Sequence, residues 1–247
     1  MIFLSLFVLP ITAQGTVANE GGTFVYGGVE KAAPEWLGEI ALGVVYGSKD
    51  GAAIAARYHN ASADPSDYRP TFSAEINDYL FRCSSLLWPN AVRALGLPAF
   101  VYRYTYLYSC SAVFPKFGLP SYCATHVCHA SELPLVFGND VPQVNATLTP
   151  AEWDFVGRIQ QYWGCFAHTG TPNGCSNTTA STSNTISGTA SASDAAAGVH
   201  QKPVDALPEW PLWDATSMPN MLLTIPLGTE SSADTCEFWN QNVGFLH

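Results

Sequence analysis

His129-Ala130-Ser131-Glu132-Leu133-Pro134-Leu135-Val136-Phe137-Gly138-Asn139 sets a titratable imidazole directly before a dense apolar run. A histidine held against a buried wall can take up and return a proton near neutral pH, which is the work of a general base. The same pattern also suits a histidine that only packs and hydrogen-bonds. Other segments of the chain bear on that choice.

Gly15-Thr16-Val17-Ala18-Asn19-Glu20-Gly21-Gly22-Thr23-Phe24 carries an acidic residue followed by glycine. Taken alone, Glu20 also reads as a solvated turn residue. Further on stand Trp163-Gly164-Cys165-Phe166-Ala167-His168-Thr169-Gly170-Thr171-Pro172-Asn173, then Leu207-Pro208-Glu209-Trp210-Pro211-Leu212-Trp213, then Cys236-Glu237-Phe238-Trp239-Asn240. Together these segments resemble the type-B carboxylesterases, the cholinesterase-like branch of the α/β-hydrolases. The likeness runs from about Leu9 to Phe245.

The resemblance implies an α/β fold: the C-terminal part of an α/β-hydrolase, a central sheet with flanking helices. It implies carboxylic ester hydrolysis by a Ser–Glu–His mechanism, with Glu20 as acid and His129 as base. Glu20 precedes His129 by 109 positions, in the family's order of serine, acid, histidine. The acid accepts a hydrogen bond from one imidazole nitrogen and fixes the tautomer. The other nitrogen deprotonates the nucleophile and then protonates the leaving alcohol. No metal or organic cofactor is required, and the partner is a small-molecule ester. Glu132 is expected to brace the loop rather than react.

The family's nucleophile elbow, Gly-x-Ser-x-Gly, does not occur in the sequence. Gly47-Ser48-Lys49-Asp50-Gly51 has its serine one place too early. A His-Gly-Gly-Gly-like oxyanion loop is missing too. The expectation is therefore that residues 1–247 are the C-terminal portion of a carboxylesterase type-B domain whose N-terminal half is missing. A low-complexity insertion falls at about residues 176–206. Such a chain is inactive as given. The rival reading is a non-catalytic, cholinesterase-like binding or adhesion protein, and a third is a product that never folds.

Composition narrows the setting. The formal net charge is −10, with 10 Lys and Arg residues and no basic cluster, which argues against nucleic-acid binding. The 7 cysteines, with sequons at Asn60, Asn145 and Asn177, point to the secretory route and a secreted or extracellular protein. The family resemblance pairs Cys83 with Cys236. Cys110, Cys123, Cys128, Cys165 and Cys175 lie outside that pattern, so their pairing stays open. Cys123, His126, Cys128 and His129 can also be drawn as a metal site. Met1 to Leu9 reads either as a signal-peptide core or as a strand ahead of the Glu20 loop. Met1 to Ala13 is too short for a membrane span.

Periodicity supplies the elements. Residues 9–14 read as a buried strand delivering Glu20. From Pro34, a helix carries apolar residues at 36, 37, 40, 41, 44 and 45 and ends near Gly47. Further helices are expected over 51–58, 71–82 and 84–95, and a strand over 99–106. Residues 107–128 are either a packed loop or a wall of the substrate pocket. Thr149-Pro150-Ala151-Glu152 has the form of a capped helix start. Trp153, Val156, Ile159, Trp163 and Phe166 continue it as a core stripe, and Gly170 ends it. Residues 176–199 hold too little apolar area to offset their ordering entropy and read as a flexible insertion. A late strand is expected over 220–225 and a terminal helix over 234–242.

Overall fold

The structure is a computed structural model that describes residues 11–59, 64–138, 148–175 and 207–243. The leading apolar run, the three sequon asparagines and the 176–199 tract lie outside the described residues.

The described residues form a mixed α/β fold around a sheet ordered β1-β2-β3-β4. Strand β1 (Thr12–Val17) pairs in parallel with β2 (Ala99–Tyr104), which pairs in parallel with β3 (Pro219–Leu223). β4 (Gly228–Ser231) closes an antiparallel hairpin on β3. The β1–β2 crossover carries α1 (Glu20–Gly28), α2 (Glu35–Tyr46), α3 (Ser48–Tyr58), α4 (Arg69–Ile76), a π-helix (Asn77–Cys83) and α5 (Leu87–Ala94). After β2 come short 3-10 turns at Ser111–Phe117 and Ser121–Ala124, then α6 (Leu133–Phe137) and α7 (Pro150–Thr169). Helix α8 (Ala233–Asn242) follows the hairpin.

The aromatic and β-branched run of β2 forms the middle of the sheet because both of its faces are buried. Successive side chains point to opposite faces. Phe100 and Tyr104 enter one core with Phe155, Ile159 and Trp210. Ala99 and Val101 enter the other with Ile54, Leu86 and Trp239. The second core is stapled by the Cys83–Cys236 disulfide, both cysteines fully buried.

Helix α7 begins on a full capping box. Thr149 Oγ1 accepts from the Glu152 N–H at 3.3 Å, and Glu152 accepts the Thr149 N–H at 2.7 Å. The same carboxylate also accepts the Ser109 N–H at 2.7 Å, which ties the loop after β2 to this helix. Its core face is Phe155, Val156, Ile159, Tyr162 and Cys165, so the buried stripe is rotated from the expected one and leaves Trp153 at the surface.

Helix α2 departs further from expectation. Trp36, Leu37, Ile40, Val44 and Val45 face outward, Val44 with 80% exposure. The helix packs instead through Gly38 and Leu42. A Cβ at Gly38 would lie 1.9 Å from the Tyr68 ring, so only glycine admits this approach. The contact that seats the helix among the described residues is therefore on its small-residue side.

Candidate active site

Glu20 is the first residue of α1, directly after the turn that leaves β1. Its neighbours Gly21 and Gly22 allow that helix to sit unusually deep. A Cβ at Gly21 would fall 2.2 Å from the Ser73 carbonyl oxygen, and one at Gly22 would fall 2.2 Å from the Tyr122 ring. The Glu-Gly-Gly run is thus a steric requirement of seating α1 between α4 and the 121–124 turn.

His129 lies on the loop beyond β2. Backbone pairing draws that loop against the start of α1. Asn19 and Cys128 form a parallel β-bridge, and the Asn19 N–H donates to the Val127 oxygen at 2.9 Å. The His129 N–H donates to Thr23 Oγ1 at 2.9 Å. A short disulfide, Cys123–Cys128, closes the loop immediately before the histidine. The chain then turns sharply through Ala130, whose φ of 68° lies in the left-handed region.

The outcome is a close carboxylate–imidazole contact. His129 Nδ1 stands 2.5 Å from Glu20 Oε2. The carboxylate is nearly sequestered, its side chain 6% exposed, while the imidazole is 51% exposed. The second carboxylate oxygen, Oε1, accepts the Val17 N–H at 2.8 Å. Among the described residues no hydrogen bond reaches Nε2. Phe24 and Phe81 flank the imidazole, with ring centroids 5.4 and 6.0 Å away, and stack on each other at 5.4 Å. An acid braced by backbone, an imidazole oriented by it, and an outward ring nitrogen form the arrangement of a general base with its orienting carboxylate.

His126, three positions earlier, is elsewhere. Its ring stacks on Tyr122 at 3.7 Å, and its Nδ1 meets the Tyr122 carbonyl at 3.0 Å. The sulfurs of Cys123 and Cys128 are spent on each other, so the four-residue metal arrangement has lost its thiolates. Among the described residues no group of His, Cys, Asp and Glu is placed to hold a metal ion. Cys165 pairs with Cys175.

Glu132 sits inside the same loop and receives the Tyr102 hydroxyl at 3.4 Å, while its Oε2 is buried without a hydrogen bond. Burial, reinforced by the nearby Glu20 carboxylate, pushes the Glu132 carboxyl up. Residues 107–128 contribute to packing: Tyr108 donates to the Ser131 oxygen at 2.6 Å, and Phe114 joins the core.

Other residues of the site carried no sequence signal of their own. Asn19, Thr23, Asn77 and Phe81 join it through contacts with segments far away in the chain. Elsewhere, α2 and α3 enclose a groove of about 460 Å³ lined by Glu39, Ser48, Gly51 and His59 among others. Neither Glu20 nor His129 contributes to it; its His59 meets Glu35 at 3.4 Å, but both of those side chains are exposed.

A sequence model of the carboxylesterase family matches residues 32–239, a span that contains His129 and begins after Glu20. A similar protein is the "Crystal protein" of Dictyostelium discoideum, 29% identical over 108 residues, which cover 43% of this chain and 18% of that protein. The chain belongs to the carboxylesterase family.

Proposed function

We propose that this chain carries the acid and the base of a carboxylic ester hydrolase, Glu20 and His129, acting on a small-molecule ester. The observation behind the reading is the 2.5 Å contact between a buried carboxylate oxygen and Nδ1 of an imidazole whose other face is open. Glu20 holds the proton on Nδ1. Nε2 is then free to accept the proton of a serine hydroxyl as that oxygen attacks the ester carbonyl. The imidazolium returns the proton to the departing alkoxide, and a water molecule repeats the sequence on the acyl-enzyme.

The sequence has no Gly-x-Ser-x-Gly, so the nucleophile in this proposal comes from outside residues 1–247. Loss of one oxyanion donor already costs roughly 10²–10³ in rate. The chain alone is therefore expected to hydrolyse p-nitrophenyl acetate and butyrate no faster than buffer. Turnover well above buffer that disappears in His129→Ala would show a nucleophile within the chain and overturn this part of the reading. Extending the chain with whatever its gene encodes upstream tests the base. Hydrolysis by that longer protein must fall by about 10³-fold or more in His129→Ala. The missing serine also supports a second reading, a cholinesterase-like binding protein. That reading gains if the longer protein folds and still contains no Gly-x-Ser-x-Gly.

A further inference from the structure

The first backbone N–H groups of a helix find no partner within it, and the residue before the helix normally supplies one from its side chain. Helix α1 has no such bond, and among the described α-helices only α7 does. Asn19 is of a favoured capping type, yet it makes no side-chain cap bond. Its Oδ1 turns instead to the Val127 N–H, 3.3 Å away on the histidine loop. The Glu20 N–H is satisfied from a different element, by Asn77 Oδ1 at 3.0 Å, 57 positions along the chain.

Asn77 is buried at the point where the helix changes from α to π hydrogen bonding. Its amide is oriented by its neighbours. The oxygen must face the Glu20 donor, and Nδ2 donates to Asp78 Oδ1 at 3.1 Å. Asp78 Oδ2 in turn accepts the Tyr58 hydroxyl at 2.8 Å, and the Tyr58 oxygen accepts from Trp239 Nε1 at 2.8 Å. The position of the Glu20 backbone is thereby referred to a fully buried tryptophan on α8.

We infer that Asn77 is a positioning residue for the Glu20–His129 pair, an acceptor supplied by another element to the first N–H of α1. This rests on the proposed acid and base roles of the two residues. Asn77 touches neither imidazole nor substrate; it fixes the place from which Glu20 Oε2 meets Nδ1.

The test reads the imidazole rather than ester turnover. In protein labelled with [15N]histidine, above the pH at which the ring is protonated, nitrogen shifts give the ratio of the Nδ1–H to the Nε2–H tautomer. The Nδ1–H form should dominate in the unmodified chain. Asn77→Ala and the space-filling Asn77→Leu should each lower the ratio, by at most about fivefold, the factor one net hydrogen bond is worth. Thr149→Ala removes a cap from α7 and should leave the ratio unchanged. An unaltered ratio in whichever of the Ala and Leu variants folds overturns the inference. So does an equal fall in Thr149→Ala. A mixed ratio in the unmodified chain is a different failure, because it means the Glu20–His129 contact itself is not made.

Discussion

Asn19 and Val127 exchange hydrogen bonds: the Asn19 N–H donates to the Val127 oxygen at 2.9 Å, and the Val127 N–H donates to Asn19 Oδ1 at 3.3 Å. This reciprocal contact, one residue before the acid and two before the histidine, joins the two loops. Asn19→Ala should lower stability by about 1–2 kcal/mol, because a half-buried N–H is left without its acceptor. Urea denaturation measures the loss. Amide exchange at Val127 should rise more than at residues of α7.

Ala130 should be improvable. Its φ of 68° costs an L-residue about 1 kcal/mol or more, which glycine avoids. Glycine's greater freedom in the unfolded chain offsets part of that gain. Ala130→Gly should therefore raise stability by about 0.5–1 kcal/mol in thermal unfolding. An unchanged or lower melting temperature would show that the loop imposes no strain there.

Replacing Cys83 and Cys236 together by alanine should cost about twice as much as removing either of the other two bridges. Their disulfide closes a separation of 153 residues, against 5 for Cys123–Cys128 and 10 for Cys165–Cys175. On the chain-entropy account the long closure is worth about 4–5 kcal/mol. Peptide mapping without reductant confirms the pairing, and chemical denaturation of the double variant gives the cost.

Glu75 sets a pH dependence of the opposite sense to that of most carboxylates. Burial pushes its carboxyl up to about 7 from an ordinary 4.5, while its hydrogen bond with Tyr46 pulls the other way. The native state then holds a proton that the unfolded chain has released. Stability should fall as pH rises from about 4.5 to 7, by an amount on the order of 3 kcal/mol, and level off above that. Glu75→Gln, which is neutral throughout, should flatten this part of the stability curve. An equally steep fall in that variant would assign the dependence to another group.

Strong local chemistry was legible in the sequence. The capping box at Thr149 and Glu152 is a strong local signal for a helix start, and the aromatic, β-branched run at 99–104 suits a strand buried on both faces. The resemblance named Glu20 and His129, and the structure sets them 2.5 Å apart. Less legible was anything decided by a distant neighbour. The apolar period of α2 shows that the helix has a stripe, but Tyr68 against Gly38 determines which side turns inward. The expected helix over 71–82 divides into α4 and a π-helix, and no periodicity marks that change. Asn77 is one polar residue among many in the sequence. Its meaning comes from an amide 57 positions away.

The sheet divides the molecule into two cores, and the acid–imidazole pair is moored in both. His129 follows Val127 and Cys128, which belong to the core with Phe155 and Trp210. Glu20 is anchored through Asn77 toward the core of Tyr58 and Trp239. Partial melting of either side would separate the acid from its imidazole even while the other side stayed intact. The tautomer state of one side chain thus becomes a gauge of cooperativity. If it is lost before the melting of either core, the seam is the weakest part of the fold. If it is lost together with both cores, the molecule unfolds as one body.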